Sequence, residues 1–475
     1  MRPARPLLAA ADECLTPSGS PRPAYRKLLP EVLGDREHLE MLRRATQKHF
    51  EERGITFGAP QDGTGTAAIF PFDPIPRVLD AVEWSKLERA LSQRAVALDM
   101  FVSDCYGAQR ALRDGVVPAR LVYSSAGYLR DIVGVRPPRA TWCHVSGIDV
   151  VRIHGRFHVL EDNVRVPSGI AYALEARRAL EQTAPSWFER YSVCGIESYT
   201  GRLRRALQRI APRPWGAAIG VLTPGRYNAA YYEHALLAKE MEATLVEGAD
   251  LIVHEEELFR REARGHMERI DVLYSRVNSE WLDPLVFRGE SLLGVPGLIE
   301  AWRRGNVAIA NAPGTGVADD KAVYPYVPAM IRYYLGEDPL LPNVQTFDLL
   351  DERQRRHALD SIDRMVLKPV DASGGYGIVF GRSLTKAQRA DVVAQVNAKP
   401  RAWLAQEEVM LSRALCLRED GELEPRAVDL RPFVLLDERP WVVPGGLTRV
   451  APNKKTLVVN SSQGGGSKDT WVLSH

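Results

Sequence analysis

The sequence lacks the features that mark several large classes of protein. Its 62 lysine and arginine residues exceed its 60 aspartate and glutamate residues by only two, in a chain of 475 residues. Without a basic excess, the chain has no electrostatic basis for binding nucleic acid or an anionic membrane surface. Its uncharged apolar runs are shorter than the roughly 18 residues that a membrane-spanning helix needs. We therefore expect no nucleic-acid partner and no membrane association.

Cysteine is also scarce. The five cysteines are odd in number, scattered along the chain, and form no C-x-x-C motif. This pattern predicts neither a disulfide framework nor a zinc knuckle. The apolar patch near the N-terminus ends at Asp12 and Glu13, so we expect it to be too short for a signal peptide. Together these observations predict a cytoplasmic protein.

The composition that is present is that of a globular protein with a large core. Hydrophobic residues make up 45% of the chain and charged residues 26%, which are ordinary globular values. At roughly 150 residues per domain, the length allows about three domains. Apolar residues recur at helical spacing between Leu79 and Asp104, whereas the prolines of 70–76 exclude regular helix. We predict a mainly helical N-terminal region over residues 1–135, to which we assign no chemistry.

A hairpin is predicted after this region. Ile148–Ile153 is rich in β-branched residues, residues 154–156 form a turn, and Phe157–Glu161 is a second strand-like run. A helical stretch over residues 171–183 follows.

The middle of the chain alternates between strand-like and helix-like segments. This alternation predicts a mainly parallel, Rossmann-like sheet. The predicted strands are 217–222, 243–246, 270–274 and 307–310, and the predicted helices are 231–241 and 298–304. The remainder is predicted to be strand-rich, with strands at 365–369, 403–406, 433–436 and 457–459.

The hairpin carries a candidate metal site. Glu161 and Asn163 are two residues apart, so both side chains face one side of the sheet, and Asp149 on the partner strand can face them. Two carboxylates and an amide oxygen suit Mg²⁺. Arg165, two residues further on, would add a cation that fits a phosphate or carboxylate. The alternative is a solvated polar face of a hairpin.

A second candidate is a lysine at the end of an apolar strand. Burying an unpaired ammonium such as that of Lys368 is unfavourable. The loop after it contains Gly374, Gly375, Tyr376 and Gly377, whose backbone N–H groups could surround an anion. A strand follows directly, which favours a hairpin flap over a P-loop. The alternative is a plain glycine-rich turn with a lysine that reaches solvent.

Two further groups of residues indicate a function only if the fold brings them together with the first two candidates. An apolar strand about forty residues after Lys368 runs into Gln406, Glu407 and Glu408, where a backbone hinge could hydrogen-bond an adenine edge. Lys321, Arg431 and Arg449 are isolated cations that are most often surface or ion-pair residues. They matter if the fold brings them to one phosphate site, where fixed cations stabilise developing charge.

Taken together, these motifs resemble an ATP-grasp enzyme with its parts in circularly permuted order. The chain is similar to the circularly permuted ATP-grasp type 2 family and to the synthetase domain of glutathionylspermidine synthetase. The phrases that carry the resemblance are Leu222-Thr-Pro-Gly-Arg-Tyr-Asn, Val246-Glu-Gly-Ala-Asp-Leu, Ser291-Leu-Leu-Gly-Val-Pro-Gly, Asn311-Ala-Pro-Gly-Thr-Gly and Val459-Asn-Ser-Ser-Gln-Gly-Gly-Gly-Ser-Lys-Asp-Thr-Trp.

The resemblance implies a fold class and a division into domains. The fold would be α/β (α+β), a circularly permuted ATP-grasp fold. Residues 136–214 would carry the metal site, and residues 215–315 would form a Rossmann-like pre-ATP-grasp domain. Residues 316–475 would carry the lysines, the flap, the hinge and a glycine loop at 464–466, which is a candidate lid.

The resemblance also implies roles for individual residues. Lys321 and Lys368 would hold ATP phosphates under the flap of Gly374, Gly375, Tyr376 and Gly377. The adenine would lie beside Gln406, Glu407 and Glu408. The Mg²⁺ ligands would be Asp149, Glu161 and Asn163, and Arg449 would face the transferred phosphoryl group. Glycine stands at position 147, where the synthetase has an arginine, and Arg431 or Arg165 is expected to replace that charge.

The implied function is an ATP- and Mg²⁺-dependent carboxylate–amine ligase that acts through an acyl-phosphate and forms ADP. Its partners would be a small-molecule or peptide carboxylate and an amine. The two alternatives are a non-catalytic nucleotide-binding partner protein and an ATP-grasp phosphotransferase. The sequence names neither substrate and predicts no oligomeric state.

Overall fold

The structure is a computed structural model that describes residues 12–58, 67–213, 215–262, 265–370, 377–454, 456, 459 and 465–474. Its helices are α1 (Leu28–Gly34), α2 (Arg36–Glu52), α3 (Ala81–Tyr106), α4 (Arg110–Arg113), α5 (Ala119–Tyr123), α6 (Ile170–Thr183), α7 (Pro185–Arg190), α8 (Tyr199–Ile210), α9 (Tyr231–Glu240), α10 (Leu298–Arg303), α11 (Gly316–Asp319), α12 (Val327–Leu335), α13 (Glu352–Asp360) and α14 (Lys386–Ala398).

The strands form four sheets. They are β1 (Phe72–Leu79), β2 (Val145–Ile153), β3 (Arg156–Asn163), β4 (Ile219–Leu222), β5 (Thr244–Val246), β6 (Leu251–His254), β7 (Glu257–Arg261), β8 (Met267–Arg269), β9 (Val272–Ser275), β10 (Ala308–Ala310), β11 (Thr346–Asp348), β12 (Met365–Pro369), β13 (Val379–Phe380), β14 (Trp403–Glu407), β15 (Arg413–Leu417), β16 (Leu423–Arg431), β17 (Phe433–Leu436), β18 (Pro440–Val442), β19 (Leu447–Val450) and β20 (Gly466–Val472).

A nine-stranded sheet joins the early and late parts of the chain. Its order is β1-β20-β19-β16-β2-β17-β18, with β3 paired to β2 and β15 paired to β16. β1 runs parallel to β20, and β2 lies against both β16 and β17. The hairpin near the front of the chain is therefore central to a sheet whose other strands come mostly from residues 413–472.

Helices cover both faces of this sheet. Side chains of neighbouring positions in a strand point to opposite faces, and Val434 packs in a cluster with Leu98 and Phe101 of α3. Phe433 packs instead with Tyr172 and Leu174 of α6. α3 starts at an aspartate cap, because Asp80 accepts a hydrogen bond from the backbone N–H of Glu83 at 2.8 Å.

The mainly helical N-terminal region contains one strand that the periodicity did not predict. β1 begins in the proline-rich stretch, and Leu79 ends this strand instead of starting the helix. Prolines are tolerated there because β1 is the edge strand of its sheet. The register to β20 also shifts between Asp73 and Arg77.

The predicted hairpin is β2 and β3. His154 and Gly155 both have positive φ, 49° and 80°, as a two-residue type I′ turn requires. Asp149 lies opposite Glu161, and Gly147 lies opposite Asn163.

The predicted Rossmann-like segment forms a four-stranded parallel sheet in the order β10-β9-β4-β5. The chain leaves β4 toward β5 on one side, and it leaves β9 toward β10 on the other. The junction of β4 and β9 is therefore a topological switch point, where ligands bind in open α/β sheets. A three-stranded antiparallel sheet, β6-β7-β8, was not predicted. β6 is an apolar run, but β7 and β8 are short, charged and largely half-exposed, so they carry little apolar periodicity.

The lysine-bearing strand belongs to an antiparallel sheet with the order β11-β14-β12-β13. α13 and α14 contribute to its core, in which Leu367, Val396 and Ala405 are buried. The predicted strand at 457–459 falls largely outside the described residues, since 457 and 458 are not among them. Of the predicted lid, Gly464 is also outside them and Gly466 begins β20. Within the described chain, no helix has the length and apolar character needed to cross a membrane.

Candidate active site

Among the described residues, one cavity of about 450 Å³ is lined by strands of two sheets, the nine-stranded sheet and the sheet of β11, β12, β13 and β14, and by loop residues that follow β4 and β9. Of the predicted site residues, Gly374, Gly375 and Tyr376 lie outside the described residues. Gly377 lies beside Pro369, whose Cγ would be 2.8 Å from a Cβ at position 377. The other predicted residues all line the cavity: Asp149, Glu161, Asn163, Arg165, Lys321, Lys368, Gln406, Glu407, Glu408, Arg431 and Arg449.

Asp149 is bound by two arginines from neighbouring strands. Arg431 Nε and Nη2 donate to its two carboxylate oxygens at 2.5 and 2.8 Å, and Arg449 Nη2 donates at 2.7 Å. Burial alone would raise the pKa of Asp149. The two guanidinium groups outweigh that effect and lower its pKa to about 2.

A second carboxylate, Asp429, completes this group. Arg449 Nε donates to its Oδ1 at 2.9 Å, and Arg449 Nη2 donates to its Oδ2 at 2.5 Å. Burial raises the pKa of Asp429, although Arg449 opposes the shift. Asp149, Asp429, Arg431 and Arg449 are called the cleft cluster below. Two carboxylates and two guanidinium groups make this cluster electrically neutral when all four are charged.

The two predicted lysines lie beside the hairpin. Lys321 Nζ is 3.0 Å from Glu161 Oε1, and Lys368 Nζ donates to Gln406 Oε1 at 2.6 Å. Burial lowers the pKa of Lys368 to about 8, with Lys321 acting in the same direction and Glu161 opposing it. The side chain of Gln406 therefore fixes the position of Lys368, a contact that its predicted place beside an adenine did not include.

The hairpin face fits a hard cation such as Mg²⁺. The buried Nδ2 of Asn163 has no hydrogen-bond partner in the part of the chain that the structure describes, and the oxygen and nitrogen of such an amide can exchange places by rotation. With Asp149 and Glu161 directly paired in register, the face offers two carboxylates and one amide oxygen. Among the described residues, no group of three His, Cys, Asp or Glu side chains could hold a metal, so the candidate set consists of two carboxylates and one amide.

The predicted adenine hinge at the end of β14 is held by backbone hydrogen bonds. The N–H of Glu407 donates to Gln345 O and that of Glu408 donates to Arg364 O, both at 2.8 Å. Glu408 Oε1 is 3.0 Å from Arg382 Nη2, and burial raises the pKa of this glutamate. These two N–H groups are therefore already used in this structure.

Arg431 occupies the space beside Gly147. A Cβ at position 147 would lie 3.2 Å from Arg431 Cδ and 3.1 Å from Pro167 Cβ, so a larger side chain would have to displace them. Arg165 is more loosely held, with its Nε 3.6 Å from Asp319 Oδ2 and its Nη1 3.9 Å from Glu280 Oε1. Both arginines line the cavity, and their replacement of the missing arginine stays a prediction.

Several lining residues were not predicted. Asp319 accepts hydrogen bonds from the N–H groups of Val164 and Arg165 at 2.7 and 3.1 Å, and its place two residues before Lys321 was the available signal. Asp429 stood in the same motif as Arg431. The remaining unpredicted lining residues with aromatic or amide side chains are Phe57, Phe70, Tyr172, Asn228, Asn278 and Phe380. Of these, Asn228 lay in a phrase that carries the family resemblance, and Phe70 lay in the proline-rich stretch 70–76.

Comparison with known proteins assigns the chain to a family. Residues 76–451 match the family model described as circularly permuted ATP-grasp type 2. An uncharacterized protein of Synechocystis is 46% identical over 472 residues, which cover 97% of this chain and 96% of that protein. A Frankia casuarinae protein named "putative glutamate–cysteine ligase 2-2" is 43% identical over 471 residues. This match covers 97% of the chain and 53% of the Frankia protein, so the chain spans about half of that relative.

A solved structure shows the same fold at low sequence similarity. A glutathione synthetase-like effector from Globodera pallida superposes with a TM-score of 0.56 at 12% identity, over 94% of this chain and 98% of that one. The family model and the Synechocystis relative cover most of the sequence. The chain therefore belongs to the circularly permuted ATP-grasp type 2 family.

Proposed function

We propose that the protein is an ATP- and Mg²⁺-dependent ligase that joins a carboxylate to an amine and releases ADP. The observation that carries the proposal is the convergence on one cavity of the hairpin oxygens, two lysines and the two arginines of the cleft cluster. Phosphoryl transfer needs these components, since the protein contributes positioning and charge neutralisation instead of covalent chemistry.

The lysines are proposed to bind ATP phosphates. In this structure Lys321 is paired with Glu161, and Lys368 is held by the neutral amide of Gln406. Phosphate oxygens would be the stronger partners for both ammonium groups. When Lys321 turns to a phosphate, Glu161 becomes free to bind the metal together with Asp149 and Asn163. A bound Mg²⁺ would neutralise phosphate charge during transfer.

The arginines of the cleft cluster are proposed to stabilise the charge that develops at the reacting atoms. A carboxylate oxygen of the substrate attacks the γ-phosphorus, and the bond from that phosphorus to the ADP oxygen breaks. The amine nitrogen then attacks the acyl carbon, phosphate leaves and a proton is lost. Arg431 and Arg449 would hold the anionic groups in both steps, because fixed cations in a cavity need little reorganisation.

The family supports the proposed class of substrates. The Frankia relative's name refers to a ligase that joins glutamate to cysteine, which supports carboxylate–amine chemistry for this chain. The predicted cytoplasmic location agrees with a requirement for ATP and Mg²⁺. We take the domain boundaries at residues 135, 214 and 315 as part of the same proposal.

Trapping the acyl-phosphate with hydroxylamine tests the chemistry, because hydroxylamine takes the place of the amine substrate. The purified protein is incubated with Mg·ATP, hydroxylamine and a panel of carboxylates, and hydroxamate and ADP are both measured. We expect equal amounts of the two products, each dependent on the carboxylate. ADP without hydroxamate would indicate transfer to another acceptor, and ATP binding without ADP would indicate a non-catalytic module. Either result would contradict the ligase.

A further inference from the structure

The cavity continues past the cleft cluster into a compartment with aromatic walls. The ring centroids of Phe70 and Tyr172 are 4.5 Å apart, and Phe57 lies 5.8 Å from Phe70 and 5.7 Å from Tyr172. These three residues, together with Asn228 and Asn278, are called the aromatic compartment. All five line the same cavity as the cleft cluster.

The walls of this compartment are held in place by the surrounding fold. Tyr172 is buried in the first turn of α6, and its hydroxyl donates to Thr56 O at 3.0 Å. The N–H of Phe57 donates to Ala68 O, and that of Gly58 donates to Ala229 O, both at 3.1 Å. Phe57 itself is only partly covered by protein. Phe70 and Tyr172 are only 2% and 1% exposed, so the preformed aromatic surface that the cavity reaches is mainly that of Phe57.

The compartment lies next to the groups proposed to act on the acyl-phosphate. Arg431 Nη1 donates to the backbone oxygen of Ser168 at 3.1 Å, four residues before Tyr172. Arg431 is thus tied to the segment that begins α6, and Tyr172 in that segment packs edge-on against Phe57. Arg431 and Phe57 also line one cavity, which a single substrate molecule could occupy.

The topology of the parallel sheet also favours ligand binding here. Asn228 follows β4 and Asn278 follows β9, the two strands at the topological switch point. The compartment therefore combines an apolar wall with two neutral amides, the usual composition of a site for a small molecule with few charges.

The carboxylates at this end are already paired. Asp319 accepts two backbone N–H groups and faces Arg165, and Glu280 faces the same guanidinium. Glu233, behind the wall, is buried in an ion pair with Arg276 at 2.9 Å. The described lining of this compartment thus offers aromatic surface and amides but no unpaired carboxylate for a polyamine, and the cation beside it is the loosely held Arg165.

The geometry points to a carboxylate substrate that carries an aromatic or branched apolar side group, which packs against Phe57 while its carboxylate faces Arg431. This inference rests on the proposed ligase function. It departs from the glutamate in the name of the Frankia relative. Glutamate is therefore the best comparison ligand for deciding between an apolar and an acidic substrate side group.

Binding without turnover tests the compartment separately from the chemistry. Phenylalanine, leucine and glutamate are titrated by calorimetry into the protein saturated with a non-hydrolysable Mg·ATP analogue. We expect phenylalanine and leucine to bind at least tenfold more tightly than glutamate, since apolar pocket contacts discriminate by about 10- to 200-fold. Tighter binding of glutamate would overturn the inference.

A matched pair of variants locates the effect. Phe57→Ala should weaken phenylalanine binding about tenfold or more and leave the affinity for the nucleotide analogue unchanged, and Phe57→Leu should lie between. Tyr227→Ala, at an exposed aromatic residue of the loop after β4, should match the wild type. Equal phenylalanine affinity in all variants would contradict the compartment.

The two proposals can fail independently. If the apolar amino acids bind as expected but form no hydroxamate, the aromatic compartment stands and the ligase proposal fails. If hydroxamate forms with glutamate in preference to the apolar acids, the ligase stands and the compartment fails.

Discussion

Two groups of buried ion pairs in the nine-stranded sheet and its covering helices use the same residue types in different surroundings. In the cleft cluster, Asp149 is paired with Arg431, and their side chains are 2% and 14% exposed. In the pair of Glu13 and Arg77, the corresponding exposures are 1% and 0%, and the closest N···O distance is 2.6 Å. Arg94 with Asp162 is equally enclosed. We call these two enclosed pairs the sealed pairs.

The difference shows that electrostatics alone does not identify a functional pair. The pKa of Glu13 is lowered to about 2 because Arg77 and Arg152 outweigh the effect of burial, and Asp149 reaches the same value for the same reason. Of the two groups, the cleft cluster is the one that lines the large cavity. Its ions can exchange partners with a ligand, whereas those of a sealed pair can only support the fold.

Breaking a sealed pair should have the largest effect on stability. Arg77→Met leaves Glu13 buried without its main partner, so we expect the free energy of unfolding to fall by about 3–5 kcal/mol. Urea denaturation measures the loss. The double variant Glu13→Gln/Arg77→Met removes both charges and should recover most of the lost stability. A loss below about 1 kcal/mol in Arg77→Met would show that the sealed pair does not stabilise the fold as proposed.

Breaking the cleft cluster should affect turnover more than stability. Arg431→Met leaves Asp149 paired with Arg449, so the fold keeps a partner for the carboxylate. We expect hydroxamate formation to fall by roughly 10²–10³-fold, as when one fixed group that stabilises developing charge is removed. The exposed Arg439 provides the control, and Arg439→Met should retain full activity. A similar loss in both variants would contradict the assignment.

Acid should weaken the sealed pair in a predictable range of pH. The pKa of Glu13 is about 2 in the folded protein, below its ordinary value of 4.5. The pair therefore contributes fully above pH 4.5, and its contribution is lost as the pH falls toward 2. Between these limits, the advantage of the wild type over Glu13→Gln in unfolding free energy should shrink by about 1.4 kcal/mol per pH unit. A constant difference from pH 5 to pH 3 would show that the pKa is not lowered.

An exposed pair should have the smallest effect. Arg36 Nη1 and Glu422 Oε1 are 2.8 Å apart, but their side chains are 64% and 58% exposed. Solvent screens such pairs, so Glu422→Gln should change the unfolding free energy by less than about 0.5 kcal/mol. If Glu422→Gln lowered the unfolding free energy as much as Arg77→Met, burial would not explain the difference between exposed and sealed pairs.

The local parts of the site could be predicted from the sequence because they depend on short-range patterns. Alternation within β3 placed Glu161 and Asn163 on one face, and the register with β2 brings Asp149 opposite Glu161. The position of Lys368 at the end of an apolar strand was equally visible, since β12 spans the predicted residues. Periodicity of two residues is sufficient for such conclusions.

The remaining features depend on contacts between distant parts of the chain. The parallel pairing of β1 with β20 and the contact of Phe57 with Tyr172 join segments that no local period relates. The pairing of Asp429 with Arg449 is set by the register of β16 and β19, which the sequence pattern does not specify. The resemblance to a circularly permuted family predicted that residues 136–214 and 316–475 belong to one fold, but not which side chains pair there.

Binding of Mg·ATP to a Lys368 variant tests the central claim most directly, namely that the cavity is a nucleotide site. Calorimetry with wild-type protein, Lys368→Met and the exposed control Lys399→Met compares their affinities at pH 7, where Lys368 with a pKa of about 8 is mostly protonated. We predict that Lys368→Met binds at least tenfold more weakly, about 1.4 kcal/mol, and that Lys399→Met matches the wild type. Equal affinities in all three proteins would contradict the account.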